Sequence, residues 1–364
     1  MTRFRWDASP GGTSTARWRW TLPVSYGVVT VIAIALSIAG AMVLGSADIT
    51  WSTTLQVISH HLFSTELDSA IPPSADTIVW KLRAPRGVLA AIVGAGLAVS
   101  GVAMQTLVRN PLADPYLLGI SAGAGAGATA VIIFGAFAGT PIAPLTVGAL
   151  LGALAATLAV GAFARAGGGL TPLRLVLSGV VLSAAFSALS SFLVFAGPDP
   201  RAAQSVMFWM LGSVASATWQ RTLLPLVVLA IVLIFFLIKA RHLDALATGD
   251  STAAAVGIDV PRLRKQIFVA QAILVGTLVA VSGGIGFVGL VIPHVTRILV
   301  GAAHRVVLPI AALFGGLFLV WVDILARVVG GAQEMPLGVV TGLVGAPLFL
   351  YLMSRSNYSY GGSE

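Results

Sequence analysis

Asp323 and Arg327 stand four residues apart, a spacing that sets a carboxylate and a guanidinium on one helix face. Such a pair is either a structural ion pair or one step of a proton relay. No row of further carboxylates accompanies it, so the ion pair is the expected reading. His60, His61, His242, His294 and His304 are scattered and form no ligand cluster, so no metal site is expected. The absence of cysteine excludes disulfide and thiol chemistry. No G-x-x-x-x-G-K-[ST] loop or H-E-x-x-H occurs, and no nucleophile elbow supports an enzyme, which argues against nucleotide binding and enzymatic chemistry. A hydroxyl stripe remains. Ser183, Ser187, Ser190 and Ser191 follow helical spacing, one turn after Gly179. Turned to a path, these hydroxyls would pass a polar cargo without gripping it. Turned to their own helix, they would bond the carbonyl one turn back.

The elements that must position these residues are membrane helices. Of 364 residues, 57% are hydrophobic and 9% charged, against about 25% charged in a soluble domain. Ten apolar spans can be drawn, near 22–47, 86–108, 116–138, 143–164, 172–197, 222–240, 266–285, 287–300, 306–326 and 336–353. The expected fold class is an all-α polytopic membrane protein of about ten transmembrane helices. Residues 203–217, with Trp209 and Trp219, read as an interfacial helix. Residues 1–21 read as a disordered tail, 22–353 as one ten-helix membrane domain, and 354–364 as a second tail. The apolar run from Leu22 to Ala47 exceeds a signal-peptide core, so it reads as a retained span. With both tails inside, fourteen Lys and Arg lie in inner segments and five in outer ones. This positive-inside bias places both termini in the cytoplasm. The net charge of +8 is read as topology plus contact with membrane lipid, not as a nucleic-acid footprint.

Ala98-Val99-Ser100-Gly101 recurs as Ala280-Val281-Ser282-Gly283, 182 positions later, and Pro111, Leu117 and Gly119 match Pro293, Leu299 and Gly301 at that offset. Five spans begin within the offset. An odd number reverses direction, so spans 2–5 and 7–10 read as an inverted internal repeat, an architecture of transporters. The alternative is convergent glycine-rich helix packing.

Two kinds of loop stand out. At Arg109-Asn110-Pro111, Pro111 and Pro115 force a turn that Asn110 can satisfy, and Pro293 marks a matching break beside His294 and Arg297. These are read as structural turns. Residues 48–82 form a long outer loop, and 241–265 a long inner one. In the latter, Asp250 or Ser251 is expected to cap a short helix that Gly257 ends. Such a helix is either a docking element for a soluble partner or an ordinary connector.

Four segments carry a resemblance. They are Leu82-Arg83-Ala84-Pro85-Arg86 with the run from Gly94 to Gln105, then Arg109 to Ile120, then Gly284 to His294, then Pro336 to Thr341 with Gly345-Ala346-Pro347. In this order they closely resemble the FecCD-type permeases, the membrane subunits of ABC importers for iron–siderophores, haem and vitamin B12. The resemblance implies ten helices and a pore shared with a second permease subunit, either an identical copy or a sister chain. It also implies two cytoplasmic ABC ATPase subunits that use ATP, an extracytoplasmic substrate-binding protein, and no cofactor in this subunit. It implies a docking site for the binding protein's acidic residues at Arg83, Arg86 and Arg327, where the residues alone allow snorkelling at helix ends. It implies ATPase coupling at Gly249, Asp250, Ala255 and Gly257. It implies a pathway lined by the span of Gly179, Ser183, Ser187, Ser190 and Ser191. The implied cargo is an iron–siderophore moved by alternating access, with haem or cobalamin as the alternative. A stand-alone secondary transporter is the further alternative. Any iron would move inside its chelate.

Overall fold

The structure, a computed structural model, describes residues 15–45, 47–136, 144–166, 168–330 and 334–355. Among these residues every regular element is a helix, and there is no strand. Ten helices have the apolar composition of membrane helices. Seven are long: α1 (Thr15–Val43), α4 (Ala84–Val108), α6 (Pro144–Ala166), α7 (Pro172–Ala196), α9 (Trp219–Ile238), α12 (Val260–Ser282) and α14 (His304–Gly330). Three are shorter: α5 (Ile120–Phe134), α13 (Val288–Val300) and α15 (Leu337–Arg355). Between them lie α2 (Trp51–Phe63), α3 (Pro73–Asp76), α8 (Pro200–Met210), α10 (Ala240–Thr248) and α11 (Asp250–Ala255). Proline stands in the first two positions of α3, α4, α7, α8 and α12, where its missing N–H costs nothing.

The centre of the bundle is α4. Its apolar residues run round the whole helix, and Leu89, Val93, Leu97, Val99, Val102 and Met104 are at most 2% exposed. Glycines let its neighbours come close. A methyl group on Gly94 would collide with the carbonyl oxygen of Gly315 in α14, and one on Gly101 with that of Gly289 in α13. Ala91 meets Gly316, and Thr106 meets His304. As α4 advances α14 recedes, so the two are antiparallel. Gly96 against Leu274 and Leu278, with Ser100 against Gln271, shows the same for α12.

The ten expected helices are therefore present, and the two halves share one order: a long helix, a break, a short helix, then two more helices. The register differs from the expected one. At the 182 offset Pro111 lies in the turn after α4, whereas Pro293 lies inside α13. Gly119 precedes α5, whereas Gly301 ends α13. The first break spans residues 109–119 and the second only 283–287. No single offset can carry both.

Pro293 is thus not a structural turn. The actual break comes earlier, where Gly283 and Phe287 both take positive φ. Pro293 is tolerated because the residue one turn before it is Gly289, whose carbonyl packs on Gly101.

Two expected boundaries also move. Helix α1 begins at Thr15, so residues 15–21 are helical, while 1–14 lie outside the described residues. Helix α15 runs to Arg355, and the rest of the 354–364 segment is outside them too. The 48–82 loop holds α2, α3 and a π-helical stretch, Thr77–Arg83, around a small core of Met42, Val57, Val79 and Ala84. The 203–217 piece is helical only to Met210. Beyond it the chain turns inward, where Ser213 N–H donates to Ser282 O at 2.7 Å and Gly338 N–H to Leu211 O at 2.8 Å.

Candidate functional site

The last carbonyls of α1, and those of the chain just beyond it, lack helical donors. Arg83 supplies three, donating to Met42 O at 2.8 Å, Val43 O at 2.9 Å and Ala47 O at 3.0 Å. Arg327 supplies two, to Ala41 O and Leu44 O, both at 3.0 Å. Positive charge there also opposes the helix dipole. Arg86 turns to carboxylates instead. Its Nε donates to Asp323 Oδ1 at 2.8 Å and its Nη1 to Glu334 Oε1 at 2.5 Å. Asp323 Oδ2 lies 3.2 Å from Arg327 Nε, an ion pair without hydrogen-bond geometry. The three arginines singled out by sequence thus come together. Arg83 and Arg86 are each 8% exposed and have internal partners, while the Glu334 side chain is 43% exposed.

Beside this cluster, Trp219 at the start of α9 donates to Trp80 O at 2.9 Å. A cavity of about 520 Å³ opens at the same end, with Thr146, Gln204, Ser205, Ser213, Arg221 and Ser282 among its walls. Sequence reasoning missed it, because its polar groups come from four separate segments. The one signal was the Gln204-Ser205 pair within an otherwise apolar piece.

The opposite end of α4 carries the α10–α11 pair. Gly249, at φ +134, separates the two short helices, and Gly257, at φ +83, follows the second. Asp250 does not cap α11, and neither does Ser251; Gly249 holds the cap position without a side-chain bond. The Asp250 carboxylate instead accepts from Arg264 Nη2 at 2.6 Å, tying the loop to α12. Val256, beside Ala255, is exposed.

A second tie runs to α14. Asp244 Oδ1 accepts the backbone N–H of His304 at 2.9 Å and lies 2.6 Å from its Nδ1. The other ring nitrogen lies 2.7 Å from Thr106 Oγ1 in the last turn of α4. Burial alone would raise the Asp244 pKa, but the hydrogen bonds from His304 outweigh it and hold it below the usual carboxylate range. One imidazole therefore links α10, α14 and α4. His304 appeared in the sequence only as one of five scattered histidines, and its partners lie 60 and 198 residues away.

After α4, Arg109 takes positive φ and Asn110 N–H returns to Gln105 O at 3.0 Å. Asn110 Oδ1 accepts from Leu112 N at 2.8 Å, as expected of an asparagine satisfying a turn before Pro111. Pro115 opens a 3-10 turn to Leu118, which Asp114 caps through Tyr116 N–H at 2.8 Å. Burial pushes the Asp114 carboxyl up to about 6. The Tyr116 hydroxyl donates to Ile285 O at 3.1 Å and accepts from Ile285 N–H at 3.0 Å, joining the two breaks.

The serines of α7 bond to their own helix. Ser183 donates to Gly179 O at 2.7 Å, Ser190 to Phe186 O at 3.0 Å and Ser191 to Ser187 O at 3.1 Å. Gly179 and Ser190 are buried, whereas Ser187 and Ser191 lie on the exposed face. Most of α7 is exposed, and only one edge packs on the bundle.

Comparison with known proteins agrees with this architecture. Residues 12–355 match the FecCD transport family. The vitamin B12 import system permease protein BtuC of Vibrio cholerae is 41% identical over 282 residues, 78% of this chain and 84% of that one. The hemin transport system permease protein HmuU of Yersinia pestis is 41% identical over 288 residues, 78% of this chain and 85% of that one. A solved inward-facing structure of a metal-chelate type ABC transporter matches with a TM-score of 0.79 and 30% identity, covering 92% of this chain and all of the other. The chain belongs to the FecCD transport family, as a membrane-spanning permease of the ABC importer class.

Proposed function

We propose that this permease moves a metal chelate into the cytoplasm by alternating access, with an iron–siderophore as the cargo. The cobalamin and haem named for its relatives are the second reading, supported by the 41% identities themselves. In this reading both termini face the cytoplasm and the α10–α11 pair meets an ATPase, one of two that supply ATP hydrolysis. A second permease subunit completes the pore along the open face of α7. An extracytoplasmic binding protein docks at Arg83, Arg86 and Arg327, its carboxylates exchanging with Glu334 for Arg86.

The observation that carries the reading is the tie from Asp244 through His304 to Thr106. It gives a push on α10 a direct route to the buried helix at the centre of the bundle. Coupling by contact needs close backbone approach, which Gly249 and Gly257 allow while Asp250 anchors the loop to α12.

Two measurements test this. Deleting residues 243–260 should abolish association with the ATPase, and retained association would refute the coupling role. Binding of the partner binding protein to a panel of siderophore, haem and cobalamin complexes identifies the cargo, and tight binding of a corrinoid alone would overturn the siderophore reading.

A further inference from the structure

We infer that the seam between α9 and α12 is a binding site for one anionic phospholipid, drawn from the leaflet next to α10 and α11. Ile231 and Phe235 of α9 face Val269 and Ile273 of α12 across a groove of about 660 Å³. Its walls are apolar except at one end, where Arg262, Lys265 and Gln266 stand. From residue 262 to 273 the groove runs roughly 16 Å along the helix. That is about half of a ~30 Å hydrocarbon core, the depth of one leaflet.

A second cavity, of about 310 Å³, shares Arg262 and Gln266 with the first and continues it towards α10. It is polar, with Lys239 and His242 in its wall. The His242 Nδ1 atom is buried there without a hydrogen-bond partner. Among the described residues Lys239, Arg262 and Lys265 form no ion pair. The one carboxylate in the wall, Asp259, already accepts the backbone N–H of Arg262 at 3.0 Å. An apolar trough that opens into a cationic pocket at membrane-surface depth matches an acyl chain below a phosphodiester. The pocket's excess of positive charge selects an anionic headgroup over a zwitterionic one. Both walls of the groove flank the α10–α11 pair, so the lipid would wedge the helices that carry that pair.

The test uses the full-length chain, isolated in its assembled importer and exchanged into bilayer discs of mixed phosphatidylglycerol and phosphatidylcholine. Native mass spectrometry then counts retained lipid. The expected result is one phosphatidylglycerol per chain and no phosphatidylcholine. Arg262→Gln with Lys265→Gln should cut retention roughly tenfold. Val269→Trp should cut it as far with the charges intact, because it fills the trough from an exposed position. Millimolar inorganic phosphate should not displace the lipid. Equal retention of both lipids, retention unchanged in either variant, or displacement by phosphate would each overturn the proposal, the last in favour of a headgroup-sized anion site.

Discussion

Asp244 holds His304 twice through one oxygen, at 2.9 Å from the backbone nitrogen and 2.6 Å from Nδ1. The carboxylate thus fixes both the first residue of α14 and the orientation of its ring. Asp244→Ala removes that acceptor and with it both bonds, leaving the ring free to turn away from Thr106. The expected outcome is uncoupling: transport in proteoliposomes falls about tenfold, as for loss of a 1–3 kcal/mol charge-assisted bond. Basal ATPase activity should hold, and a parallel fall in both would count against the linkage.

Gly101 sits against the carbonyl of Gly289, and a Cβ there would meet only backbone. Neither partner can swing aside, so Gly101→Ala should destabilise the protein by about 1–3 kcal/mol or more. Gly286→Ala, where a Cβ meets nothing within 4 Å, is the control. Thermal unfolding in detergent should separate the two variants.

Asp323 is 1% exposed and serves two arginines. Asp323→Asn leaves two guanidinium groups facing each other, a loss of about 3–5 kcal/mol. Glu334→Gln removes a half-exposed partner and should cost about 0–1 kcal/mol. If the binding protein docks on Arg86, Glu334→Gln should also tighten its association severalfold in surface-binding measurements. Unchanged affinity would remove Arg86 from the docking surface.

Burial raises Asp114 to about 6, above its unfolded value of 3.8. At pH 7 the ionised carboxylate carries its burial cost in full. As pH falls through 6 towards 4, the folded protein takes up the proton before the unfolded chain does, so folding gains stability. Asp114→Asn keeps an acceptor for Tyr116 N–H and has no charge to bury. At pH 7 it should be more stable than the natural protein by about 1–2 kcal/mol. The gap should narrow as pH falls through 6 and close only below the unfolded value of 3.8, and a constant gap in melting temperature would refute the assignment.

What the sequence showed depended on how far apart the partners lie. Apolar run length located ten helices, and i,i+4 spacing located Asp323 with Arg327, since both signals are local. Arg86 joins that pair from 237 residues away, and no helical spacing encodes such a contact. Asp250 looked like a helix cap because aspartate often is one; in the fold Arg264 competes for it and wins. The repeat offset misled for a different reason. Glycine and alanine recur wherever helices approach closely, so identities accumulate between positions that occupy different parts of the two halves. The serines of α7 matched a helical face, yet burial divides them, since the packed edge of that helix is narrower than the stripe.

The seams at Gly94–Gly315 and Gly101–Gly289 join main chain to main chain, with no side chain between. A side chain can change rotamer and absorb a small displacement, whereas a peptide group pressed on a glycine cannot. The block of α4, α13 and α14 therefore has no slack with which to dissipate any push that reached His304. It must shift as a whole or stay still. Compliance is left to the helices outside it, above all α7, whose single packed edge makes it the easiest to tilt.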